Sequence, residues 1–352
     1  MKMAPPARRV FRLSLTVSLS LAAGYAMNLP LPFIPPLLAL FLGAKPGPPL
    51  PLKALAGLMV LLIVTLGFGL FLVPILSHYP ATGLMLVITG LFLSNYLSAI
   101  KGKKLVGTFL TVGLTMITAA GVASFALATL VVKSLLVSIL VAVACQWLVQ
   151  ALLPEEPLAK PPPAPPPAGT GESSWLAVQA TIIVFPAYLM ALINPAAYMP
   201  LIMKSAALGQ QGSIHGARRE GRELLGSTCL AGVLAILFWF ALDLVTNLWM
   251  FFLWTALFTL YPACKLYGIL STRLTPTFWI NVLATMLILL GPAVQDSSNG
   301  KDVYKAFAVR ISLFLAVTLY SWMSIVLIET WRVWRGNRQT VTIPNNKELT
   351  TC

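Results

Sequence analysis

The stretch VYKAFAVRISLFLAVTLYSWMSIVLI (303–328) decides the fold. It exceeds the roughly 20 apolar residues that cross a bilayer, yet it carries Lys305 and Arg310 near its start. An earlier stretch, VVKSLLVSILVAVACQWLVQAL (131–152), has Lys133 where the later one has Lys305. A cation in hydrocarbon costs about 2.5–3.5 kcal/mol on insertion scales, so it faces a polar cavity or reaches an interface. Two such helices, one in each half, predict an internally duplicated membrane protein with a positively charged path.

The whole chain agrees with a membrane reading. Apolar residues make up 58% of it and charged residues only 10%, against about 25% charged in a soluble domain. Spans of about 20 residues use up most of the 352 residues, leaving no room for a large soluble domain. The net charge of +14 is assigned to Lys and Arg on cytoplasmic loops rather than to nucleic-acid binding. Cys145, Cys229, Cys264 and Cys352 are far apart and lack metal-ligand spacing. The basic N-terminus, with Lys2, Arg8, Arg9 and Arg12, precedes an apolar run without a small-residue cleavage site. It is expected to open an uncleaved first span.

Twelve apolar stretches run from 11–27 to 304–328. Two of them, 30–43 and 195–208, are short and hold Pro30, Pro32, Pro35 and Pro36, or Pro195 and Pro200. Proline kinks a helix and removes a backbone donor, and in a membrane the freed groups need protein or a wet cavity. Broken helices beside a substrate path and simple tilted hairpins both fit this pattern. The basic segments (the N-terminus, Lys45, Lys53, KGKK at 101–104, HGARREGRE at 215–223, Arg273, and Arg332 to Arg338) fall on one side of a twelve-span drawing. The opposite loops carry His78, Asp243 and DSSNGKD (296–302). By the positive-inside rule both termini are cytoplasmic.

Residues 154–175, PEEPLAKPPPAPPPAGTGESSW, cannot form a regular helix and predict an extended cytoplasmic linker. Around it, segments recur in the same order. LFLSNYLSAIKG (91–102) matches LFTLYPACKLYG (257–268), TFLTVGLTM (108–116) matches TFWINVLATM (277–286), and VVK (131–133) matches VYK (303–305). The expected architecture is all-α: about twelve transmembrane helices as two parallel six-helix repeats. Its boundaries are a first repeat at 1–153, a linker at 154–173, a second repeat at 174–330 and a cytoplasmic tail at 331–352.

Four features together resemble the fusaric-acid-resistance family, which includes the bacterial aromatic-carboxylic-acid efflux proteins. They are the basic N-terminus, the Ala-rich first span, the short NLPLPFIPPLLALFLGA (28–44), and the openings KALAGLMV and RELLGSTC of two matched spans. The short, membrane-only branch of the family is the nearest in form. The resemblance implies a bacterial inner-membrane exporter of organic anions, aromatic acids or amphipathic drugs. It also implies proton drive, a periplasmic membrane-fusion (adaptor) protein and an outer-membrane channel as partners. Plant malate channels look distantly similar in their six-span unit, which keeps a passive anion channel open. A non-transporting membrane scaffold is the third reading.

Lys133, Lys305 and Arg310 are the expected substrate-binding residues. The ammoniums would attract a carboxylate, and Arg310 would bind it bidentately. Snorkelling to the interface is the plainer alternative for all three. Asp243 is the candidate coupling group, although a carboxylate at a span end also reads as an interface residue. Phe238, Trp239, Phe240, Trp249, Phe251, Phe252 and Trp254 fit an aromatic belt or an aromatic vestibule. Phosphate-binding GK[ST] loops, GxSxG, HExxH and paired CxxC motifs are missing, so no enzyme activity, cofactor or metal is expected.

Overall fold

The computed structural model describes residues 5–44, 47–102, 104–154, 170–209, 217–298, 300 and 302–341. Most of the Pro-rich linker (155–169), the end of the tail (342–352), Lys45, Lys103 and His215 lie outside the described residues. Twelve α-helices and no strands occur among the described residues. The first half contains α1 (Pro5–Ala26), α2 (Ile34–Gly43), α3 (Leu52–His78), α4 (Pro80–Lys101), α5 (Lys104–Ala123) and α6 (Phe125–Leu152). The second contains α7 (Thr170–Ile193), α8 (Pro195–Gly209), α9 (Ala217–Leu244), α10 (Leu248–Leu266), α11 (Pro276–Ser298) and α12 (Val303–Val341).

Nine of the described helices are long and apolar enough to cross a membrane, so the chain is an all-α membrane protein. The three that fall short have evident reasons. α1 carries Arg8, Arg9 and Arg12 and buries Ser14, Thr16, Ser18 and Ser20. α2 has 10 residues and α8 has 15, as their prolines led us to expect. Pro35 and Pro36 sit in the first turn of α2, where a missing N–H costs nothing.

Local chemistry sets the helix starts. The side chains of Ser124 and Asn247 accept hydrogen bonds from Leu127 N (3.2 Å) and Met250 N (2.7 Å), capping α6 and α10. Asn194 accepts from Ala197 N at the start of α8, and Asp302 from Tyr304 N at the start of α12. Gly102 ends α4 in the left-handed region at φ 63°, which glycine adopts without a Cβ penalty. Between α1 and α2 the chain turns through 27–33, and Asn28 takes φ 49°.

α5 and α11 are the most buried of the nine candidate spans. α5 packs on α3, α4, α6, α7 and α8, while α11 packs on α9, α10, α12, α2 and α8. Across the halves, α1 packs on α10 and α4 on α7. One hydrophobic core runs through both halves, with Phe33, Met116, Ile139, Ala187, Phe238, Leu287 and Phe314 among its members. Lipid supplies no hydrophobic drive between helices, so close approach at small residues does much of the work. At Gly69 of α3 a Cβ would stand 2.9 Å from the Gly113 carbonyl oxygen of α5. Phe33, buried at the start of α2, lies over Gly291 of α11.

This contact yields a prediction. A Cβ at Gly291 would fall 2.3 Å from the Phe33 Cβ, and overpacking costs about 1–3 kcal/mol. Gly291→Val should lower the melting temperature in detergent, and Phe33→Ala should recover part of the loss. An unchanged melting temperature in the single variant would contradict this packing.

Candidate functional site

The most buried charge-bearing side chain among the described residues belongs to α8. Lys204 is 3% exposed, nine residues into the helix, or about 13 Å from its start at ~1.5 Å per residue. Its Nζ donates to Thr285 Oγ1 of α11 at 2.6 Å. Thr285 is itself buried. The ammonium has three donors, and no ion pair among the described residues involves it. The contact lies where α8 meets α11, and α8 also packs on α5, α7 and α12. A single hydroxyl offsets little of the cost of a cation in hydrocarbon. Such a residue is a functional candidate by default, since a passing carboxylate would supply the missing counter-charge.

Sequence reading missed Lys204, though a signal was present. It lies in PAAYMPLIMKSAALG, the stretch already singled out for its prolines.

The expected site residues do not form one cluster. Arg310, half-buried, donates through Nη2 to Asp296 Oδ2 in an ion pair. Nη1 of Arg310 is buried without a hydrogen-bond partner. Asp296, read from sequence as a loop residue, stands instead inside α11 and is buried. The helix runs on past Pro292, and its last turns carry the carboxylate to the facing side of α12. Lys305 is exposed and lies 3.7 Å from Asp302, one turn back along the chain. Lys133 is exposed on α6 and lines a cleft with Leu29, Pro30, Leu130, Ser134 and Val137. α6 and α12 share no extended packing among the described residues, so Lys133 and Lys305 do not flank a common helix contact. Asp243 is exposed in the last turn of α9. His78 is exposed, with Nδ1 2.9 Å from the Pro74 carbonyl oxygen.

The aromatic residues of 238–254 divide between two settings. Phe238 is fully buried and makes edge-to-face contacts with Phe251 and Phe258, and Phe251 meets Tyr25 of α1. Phe240 and Trp249 are exposed, as residues of an interfacial belt would be. No group of His, Cys, Asp and Glu side chains among the described residues is arranged to hold a metal.

A family described as "Protein of unknown function (DUF2955)" matches residues 9–149, from the first turns of α1 almost to the end of α6. No curated protein matches the chain, and no solved structure does.

The Arg310–Asp296 contact makes a stability prediction. Both side chains are largely buried, at 14% and 12% exposure. Removing one member of a buried pair strands the other charge, at about 3–5 kcal/mol. Asp296→Ala should therefore unfold far more easily in detergent titrations. The double variant Asp296→Leu/Arg310→Met should lie much nearer the parent protein. Equal stability of Asp296→Ala and the parent would show that the pair is not formed in the folded protein.

Proposed function

We propose that the protein is a bacterial inner-membrane transporter that exports organic anions, aromatic carboxylic acids or amphipathic drugs among them. The observation that carries this reading is Lys204, an ammonium deep in the bundle held by the Thr285 hydroxyl. An anion crossing hydrocarbon needs a fixed positive charge partway, and a buried lysine short of counter-charge provides one. The short α2 and α8, each preceded by a non-helical turn or an Asn–Pro step, are the kind of interrupted helix that builds a site near the bilayer centre.

The architecture in this proposal is two parallel six-helix units, with both termini cytoplasmic. Its support is the pairing of helices. α3–α5 has its counterpart in α9–α11, and α1–α2 in α7–α8. The contacts between halves exchange as well, α1–α10 with α4–α7 and α2–α11 with α5–α8. The family match over 9–149 coincides with one such unit. In the proposal a periplasmic adaptor protein receives the exported anion and an outer-membrane channel carries it onward, as the resemblance implies.

One observation favours a second reading, a passive anion channel. Asp296, the described carboxylate buried within a candidate span, is already taken by Arg310. That leaves little for a proton relay built on buried acids.

Flux of radiolabelled benzoate in proteoliposomes tests both. Uphill movement abolished by an uncoupler supports export, and anion conductance indifferent to the uncoupler supports a channel. No flux under either condition defeats transport. Lys204→Met should reduce flux roughly tenfold or more, as expected for losing a charged hydrogen bond. The same change should leave the melting temperature unchanged or higher, because it removes a buried charge at similar volume. Undiminished flux in Lys204→Met would remove Lys204 from the path.

A further inference from the structure

The cleft at the start of α6 has a chemistry of its own. It is an open cleft of about 400 Å³ between the turn before α2, which contributes Leu29 and Pro30, and α6, which contributes Ala126, Thr129, Leu130, Lys133, Ser134 and Val137. Pockets of this size hold small molecules or parts of larger ones. Three polar side chains break the apolar wall, and the Thr129 hydroxyl is spent on the Ala126 carbonyl of its own helix. The Ser134 hydroxyl belongs to a residue 2% exposed and has no hydrogen-bond partner among the described residues. Lys133 stands beside it, and no ion pair among the described residues neutralises it. Its match in the second half, Lys305, has Asp302 as a counter-ion.

The position of Lys133 within the helix selects the occupant. α6 has 28 residues and is about 42 Å long at ~1.5 Å per residue. That matches the roughly 40–45 Å of a bilayer with its headgroups. Lys133 follows Phe125 by eight residues, placing its Cα ~12 Å from the helix start. The polar layer takes roughly 5–7 Å of that. The remainder is within the span of a lysine stem that reaches up toward the headgroups. The face around it is built for lipid: Phe125, Leu130 and Leu140 are exposed, and in a membrane helix such residues meet acyl chains.

We infer that this cleft binds an anionic phospholipid. Lys133 holds the phosphate, the Ser134 hydroxyl donates to a phosphate or ester oxygen of the same lipid, and an acyl chain lies along Leu130 and Val137. The site does not depend on transport, since a lipid can occupy it whether or not the protein moves anions. Through the turn it also touches the second half of the bundle, because Gln295 Nε2 of α11 donates to the Pro30 carbonyl at 2.8 Å.

Native mass spectrometry of the full chain, released from nanodiscs of mixed phosphatidylglycerol and phosphatidylcholine, tests the site. One phosphatidylglycerol should remain bound in preference to phosphatidylcholine. Retention should fall roughly tenfold in Lys133→Gln and by a smaller factor in Ser134→Ala. Lys305→Gln should leave it unchanged. Equal retention of the two lipids, or undiminished phosphatidylglycerol in both cleft variants, would overturn the site. Displacement of the lipid by benzoate would overturn it in favour of a soluble organic acid. Both cleft residues can be changed without disturbing a partner, since Lys133 is exposed and the Ser134 hydroxyl bonds to nothing among the described residues, so misfolding should not mask the result.

Discussion

A polar group inside a bilayer has to find its partner within the protein, because lipid offers none. This constraint orders the structure. Most buried hydroxyls of the spans turn back onto their own helix: Thr115 donates to the Thr111 carbonyl, Thr259 to Thr255 and Thr318 to Phe314. Those that reach across join helices instead. Ser14 of α1 donates to the Ala256 carbonyl of α10, and Thr118 of α5, which also bonds the Leu114 carbonyl of its own helix, shares a hydrogen bond with the Tyr188 hydroxyl of α7. Lys204 meets the same requirement with one hydroxyl for its three possible donors.

Three cations of interest, one buried, one half-buried and one exposed, receive three different treatments. Arg310 is answered by a carboxylate on the neighbouring helix, which is the arrangement of a strut. Lys133 lines an open cleft between α6 and the turn before α2. Lys204 is enclosed by protein at the meeting of α8 and α11, with the Thr285 hydroxyl as its partner and no ion pair among the described residues. A buried amine of this kind has no built-in counter-charge. For that reason it, rather than the two cations of the matched long spans, anchors the transport reading.

Close packing lets the short helices hold these positions. α2 and α8 have only 10 and 15 residues. They are held by the two central helices, α2 by α11 and α8 by both α5 and α11. The Phe33–Gly291 contact and the Gln295–Pro30 hydrogen bond fasten the turn before α2 to the last turns of α11. Asp296 follows Gln295 directly, so the ion pair to α12 and the hydrogen bond to Pro30 leave from one helical turn of α11.

Composition and the lengths of apolar runs determined the class of molecule, the approximate helices and the two short proline-bearing segments. Hydrocarbon solvation demands long uncharged runs wherever they fall in the chain, so these features are local. Which cation faces what was decided only in three dimensions. Helices such as α6 are apolar nearly all round and carry no stripe to say which side meets lipid and which meets protein. Asp296 read as a loop residue because the sequence places it beside Ser297, Ser298 and Asn299, and only the continuation of α11 brings it to Arg310. Nothing in the sequence marks Lys204 beyond its proline-bearing segment, and its isolation appears only where α8 packs against α11, because the lack of a counter-charge is a property of neighbours distant in sequence.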